Sequence, residues 1–73
     1  MYNNYCVNSN AQYISEDHEV HNLDNHKNCL PNPVNRVPLG AYLDCHGAVA
    51  RAKQLGYSTA NGCAHCCPAC HTT

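Results

Sequence analysis

The cysteine-rich segment that decides this fold reads Cys63-Ala64-His65-Cys66-Cys67-Pro68-Ala69-Cys70-His71. It contains two Cys-x-x-Cys pairs with no residue between them, followed directly by a histidine. A Cys-x-x-Cys turn directs two thiolates toward one centre, which is half of a tetrahedral zinc site. Because Cys66 and Cys67 are adjacent, their side chains usually point apart, and the two pairs cannot easily bind one ion. The remaining ligands are therefore expected from elsewhere.

The candidate zinc ligands are five cysteines and one histidine: Cys29, Cys45, Cys63, Cys66, Cys70 and His71. The preferred site combines Cys63 and Cys66 with either Cys70 or His71 from the tail. Cys45 is the first remote candidate and Cys29 the second. The alternative for Cys45, a small buried hydrophobic residue, remains open.

One helix is predicted from about residue 38 to residue 55. Asn35 can cap its start, Pro38 suits its first turn, and Gly56 can supply the left-handed residue that ends it. Between these signals, apolar residues recur at intervals of three and four on one face: Tyr42, Cys45, Val49, Ala52 and Leu55. Cys45 is therefore expected to point inward.

The rest of the chain carries weaker signals. Residues 1–37 are rich in Asn and His and end in a Pro-rich connector, and short alternating patterns at 12–15 and 19–23 predict two strands. A short extended piece is expected at 57–60, with a turn at Asn61-Gly62. The prediction is one small α+β or irregular Cys-rich domain over residues 1–73, in which the helix packs on the C-terminal knuckle (residues 63–71). Residues 38–73 form its helix and Cys-rich part.

The composition explains why such a domain needs cross-links. The 73 residues include no Trp and no Phe, and a chain of this size buries only roughly 60% of its unfolded surface. Chains with so small a core usually add disulfides, a bound metal or a partner subunit for stability. The polar start contains no signal peptide, which predicts a cytoplasmic protein with reduced thiols and therefore zinc.

Two alternatives keep the thiols in other roles. Three disulfides, with Cys6 left over in a polar segment that has no packing signal, would stabilise an extracytoplasmic domain equally well. Cys67-Pro-Ala-Cys70 also has the shape of a dithiol redox motif, although no helix is expected after it.

His18, His21 and His26 form a weak candidate surface metal site, and solvated side chains are the preferred interpretation.

The charge and the motifs of the chain mainly exclude classes of function. The formal net charge is −1 and no basic run occurs, so nucleic acid is not an implied partner. No apolar stretch approaches the length of a membrane span. No nucleophile, base and orienting acid occur together, and no Gly-rich phosphate loop is present. The sequence predicts a non-catalytic zinc-binding module that binds an unidentified protein partner or has a regulatory role.

Overall fold

The computed structural model of the chain describes residues 2–11 and 16–71. Their regular elements are β1 (Asn3–Asn8), β2 (His18–Asn22), β3 (Arg36–Tyr42), α1 (Cys45–Gln54) and β4 (Ala60–Gly62), with short 3-10 turns at Pro33–Asn35 and Pro68–Cys70. The predicted small α+β domain with one principal helix is confirmed. None of the helices formed by these residues is long and apolar enough to cross a membrane.

The four strands form one mixed sheet in the order β3-β1-β2-β4. β1 is antiparallel to both β2 and β3, whereas β2 and β4 run parallel. The apolar side chains of Tyr5, Val7 and Val20 are buried in one core with Ala48 and Ala52 of α1. Because the core-facing residues of α1 are small, its backbone lies close to the sheet.

The opposite face of the sheet is also covered. Successive side chains of a strand project to opposite faces, so Cys6 and His21 point away from the core that holds Val7 and Val20. Cys6 and His21 are register partners in β1 and β2, and both are buried. The expectation that Cys6 lies in a segment without packing was wrong, because that segment is β1, one of the two inner strands of the sheet.

The predicted helix start at residue 38 was wrong. Residues 38–42 continue β3, where their backbone groups pair with β1, and Asn35 ends a 3-10 turn instead of capping a helix. The helix begins at Cys45, capped by the Asp44 carboxylate, which accepts hydrogen bonds from the N–H groups of His46 and Gly47. Gly56, with φ of +106°, follows the end of the helix as expected.

The predicted helical face is only partly buried. Cys45 and Ala52 are buried and Val49 is half-buried, but Leu55 is exposed. Tyr42 belongs to β3. The inward orientation of Cys45 is therefore correct, although the helix is about two turns shorter than expected.

The other short-range predictions have mixed outcomes. β2 corresponds to the strand expected at 19–23, while the one expected at 12–15 lies outside the described residues. The turn predicted at Asn61-Gly62 was wrong, since both residues lie in β4 and pair with β2. Gly62 is required there by space: a Cβ at this position would lie 2.6 Å from the Cβ of Cys70.

Candidate metal centre

Three thiols and one imidazole meet on the sheet face opposite α1. The ligand atoms of His21, Cys29, Cys63 and Cys66 all lie within 4.8 Å of one another. His21 and Cys63 are buried, and Cys29 and Cys66 are half-buried. Four such donors are a complete tetrahedral set for a structural zinc ion. We call these four residues the Cys3His cluster.

Strand pairing brings His21 and Cys63 together. In the parallel ladder of β2 and β4, Val20 is the register partner of Gly62. The pairing continues for one step, because the Cys63 N–H donates a hydrogen bond of 2.9 Å to the Val20 carbonyl. The next residue of β2, His21, therefore lies beside Cys63.

A tight turn then places Cys66. The Cys67 N–H donates to the Cys63 carbonyl at 2.8 Å and closes the turn. Within the turn, the His65 N–H donates to Cys63 Sγ at 3.4 Å. From β2, the Asn22 N–H donates to Cys66 Sγ at 3.4 Å. Backbone N–H groups that point at sulfur stabilise the thiolate form, which is the form that binds metal.

The loop between β2 and β3 supplies Cys29. It begins with a turn in which Asn22 Oδ1 accepts hydrogen bonds from the N–H groups of Asp24, at 2.9 Å, and Asn25, at 3.1 Å. Asn28, directly before Cys29, has φ of +59°, a left-handed conformation that Asn tolerates better than most residues. Beyond Cys29, the Pro31 carbonyl accepts a hydrogen bond of 2.8 Å from Arg36 Nε and holds the loop to β3.

The environment of His21 favours the neutral imidazole, which is the form that binds metal. Its Nδ1 lies 3.6 Å from Cys66 Sγ, and its Nε2 lies 3.8 Å from the Glu19 carboxylate. Burial lowers the pKa of His21, and the positive charge of Arg36 lowers it further. Nδ1 is thus the nitrogen directed into the cluster, and Nε2 faces a carboxylate, as the outer nitrogen of metal-binding histidines usually does.

The three thiols differ in their acidity. Burial raises the pKa of Cys63 and of Cys66, and the N–H groups that point at their sulfurs oppose this effect only in part. The pKa of Cys29 is lowered: burial raises it, but backbone hydrogen bonding at Lys27 and side-chain hydrogen bonds with Cys66 and Cys63 together outweigh burial. A divalent cation would remove the cost of ionising the buried pair, because metal–sulfur bonds replace the lost hydration.

An open cleft of about 520 Å³ gives solvent access to the cluster. Cys29 and Cys63 form part of its wall, together with Glu19, Lys27, His65 and His71. The cleft therefore reaches two of the four cluster residues, Cys29 and Cys63.

The structure divides the predicted ligands into two groups. Cys29, Cys63 and Cys66 lie in the Cys3His cluster. Cys45 and Cys70 are joined to each other by a disulfide. The His71 ring places Nδ1 3.1 Å from the Gly62 carbonyl and also lies outside the cluster.

His21 is the cluster residue that was not among the predicted ligands of the Cys-rich centre. It lies in a correctly predicted strand, but it was grouped with His18 and His26 as a surface histidine. His18 instead places Nδ1 2.9 Å from the Asn8 carbonyl, and His26 is exposed. The missing information was the parallel pairing of β2 with β4, two segments about forty residues apart that share no local signal.

The chain matches no protein-family model, and comparisons with curated proteins and with solved structures found no significant similarity. The geometry of the site is therefore the evidence for its function.

Proposed function

We propose that the Cys3His cluster binds one structural zinc ion and that the chain is a small, non-catalytic zinc-binding module. The observation that carries this proposal is the convergence of three thiols and one imidazole to within 4.8 Å. Thiolate and imidazole donors in a four-ligand set favour zinc over magnesium or calcium, which prefer oxygen.

A structural role is favoured over catalysis by the number of ligands. A catalytic zinc site keeps one coordination position for water or substrate, and four protein ligands would leave none in this cluster. The ion would connect β2, the loop before β3 and the knuckle, three segments distant in sequence. The proposed task of the stabilised surface is to bind a protein partner in the cytoplasm, or to regulate one.

The Cys45–Cys70 disulfide favours a second candidate, a disulfide-stabilised domain that acts outside the cytoplasm. In that case the cysteines of the Cys3His cluster would also be oxidised. A dithiol redox function receives less support, since Cys70 is bonded to Cys45 and Cys67 is buried.

Zinc stoichiometry tests the proposal. Purified wild-type protein loaded with zinc and desalted should retain one ion per chain, measured by elemental analysis. His21→Ala should lower zinc affinity at least about 100-fold, since even the partners behind a metal ligand contribute 10- to 100-fold. The matched control is His26→Ala, which changes an exposed histidine of the adjacent loop and should bind as wild type does. Equal affinities for the two variants, or cluster thiols found in disulfides, would overturn the zinc proposal.

A further inference from the structure

A second group of metal-binding side chains lies at the start of α1. The ligand atoms of Cys45, His46 and Cys70 are within 4.8 Å of one another. Cys45 and Cys70 are buried and joined by the disulfide, whereas His46 is exposed. None of the three belongs to the Cys3His cluster.

We propose that reduction of the Cys45–Cys70 disulfide creates a second metal site, formed by the two released thiols and the His46 imidazole. Oxidised sulfurs cannot serve as thiolate ligands, so the site exists only in the reduced protein. The inference goes beyond the proposed function and does not require zinc in the Cys3His cluster.

The chemical step is a two-electron thiol–disulfide exchange with a dithiol. One thiolate of the dithiol attacks a sulfur of the Cys45–Cys70 bond, and its second thiol resolves the mixed disulfide. The dithiol is oxidised to its disulfide, and its two protons end on Cys45 and Cys70. A divalent zinc ion then displaces these two protons as the thiolates bind it.

The position of the three residues suits reversible binding. Cys45 and His46 are consecutive in the first turn of the helix, so one rigid element carries two of the ligands. Cys70 comes from the 3-10 turn Pro68–Cys70, and the backbone bond from its N–H to the Cys67 carbonyl, at 3.0 Å, does not depend on the disulfide. Reduction therefore leaves both supporting segments with their own hydrogen bonds.

The chemistry of the group also predicts its coordination. Two thiolates and one imidazole are soft and borderline donors of the kind that zinc prefers, and a fourth position would be filled by solvent. With one thiolate fewer and an exposed histidine, this site should bind zinc more weakly than the Cys3His cluster. It would exchange its ion while the first site stays loaded.

Zinc titration of the oxidised and the reduced full-length chain tests the inference. The reduced form is prepared with dithiothreitol, which is then removed without air, and binding is followed by competition with a chromophoric chelator. We expect one ion in the oxidised protein and two in the reduced protein. Cys6 and Cys67 are free in both forms, so the difference reports on Cys45 and Cys70 alone.

His46→Ala should weaken the second ion at least about 10-fold in the reduced protein and leave the first unchanged, whereas His26→Ala should change neither. One ion in both redox forms, or a second ion that His46→Ala does not weaken, would overturn the inference. If instead the Cys3His cluster does not bind zinc, the oxidised protein would bind none, and this result differs from both outcomes that would overturn the second site.

Discussion

His21 and Cys6 are neighbours on adjacent strands, and burial acts on each according to its chemistry. His21 is 1% exposed and Cys6 is fully buried. Burial lowers the pKa of the imidazole and raises the pKa of the Cys6 thiol, which nearby Arg36 lowers only in part. Both side chains are therefore neutral near pH 7, but only His21 has a lone pair directed at the cluster.

Protection of Cys6 from alkylation is the first expected consequence. In folded, zinc-loaded protein, iodoacetamide should modify Cys6 more slowly than in denatured protein, because only the thiolate reacts and Cys6 is both buried and protonated in the fold. Peptide mass mapping after timed labelling measures the two rates. Equal rates in the folded and denatured protein would show that β1 is not an inner strand of the sheet.

The raised pKa of Cys6 also predicts alkaline instability. The unfolded thiol ionises at about pH 8.5, so the stabilising contribution of the protonated buried form is present below that pH and is lost as pH rises through the higher pKa of the folded state. Wild-type protein should lose more unfolding free energy between about pH 8 and about pH 10 than Cys6→Ala does. Denaturant titrations at both pH values measure this, and parallel losses in the two proteins would contradict it.

At the scale of elements, Asp44 determines where α1 begins. Its Oδ1 accepts the His46 N–H at 3.0 Å and the Gly47 N–H at 3.5 Å, which satisfies N–H groups that the helix itself cannot pair. This cap also fixes Cys45 at the first helical position, where it meets Cys70.

Replacing the cap gives an element-scale prediction. Asp44→Ala should lower the free energy of unfolding by about 1 kcal/mol, while Asp44→Asn, which retains an acceptor at the cap, should stay close to wild type. Thermal and denaturant unfolding of the three proteins measures the difference. Equal destabilisation by Ala and Asn would mean that the cap is not the cause.

Features determined by residues close together in the sequence were predicted correctly, whereas features that depend on strand pairing or disulfide bonding between distant segments were not. The Cys63–Cys66 turn, the inward face at Cys45 and the end of α1 before Gly56 are encoded within a few residues. Residues 38–42 form strand and not the predicted helix because β3 finds its hydrogen-bond partners in β1, about thirty residues away. The pairing of β2 with β4, which brings His21 to Cys63, is equally distant, and the Cys45–Cys70 bond could not be chosen from among the possible pairings of seven cysteines.

On the scale of the whole molecule, the disulfide and the proposed zinc site lie on opposite faces of the sheet. The disulfide joins α1 to the C-terminal 3-10 turn across a separation of 25 residues, and a zinc ion in the Cys3His cluster would join β2, the loop before β3 and the knuckle. Loop-closure arguments give the disulfide about 3–4 kcal/mol. That amount is comparable with the whole stability of a small domain, on the order of 5 kcal/mol.

Metal removal should therefore unfold much of the domain even when the disulfide is intact. A strong chelator should lower the melting temperature of oxidised, zinc-loaded protein and reduce its far-UV circular dichroism, because binding and folding share one free energy. His21→Ala should already resemble the chelated state and respond little to chelator. An unchanged melting curve after confirmed metal removal would contradict this prediction, because the disulfide and the core would then stabilise the fold without the metal.

The atoms that bind zinc can be identified directly by X-ray absorption spectroscopy of the zinc-loaded, oxidised protein. We expect three sulfur neighbours at about 2.3 Å and one nitrogen neighbour at about 2.0 Å, from Cys29, Cys63, Cys66 and His21. Four sulfur neighbours, or a shell dominated by nitrogen and oxygen, would contradict it.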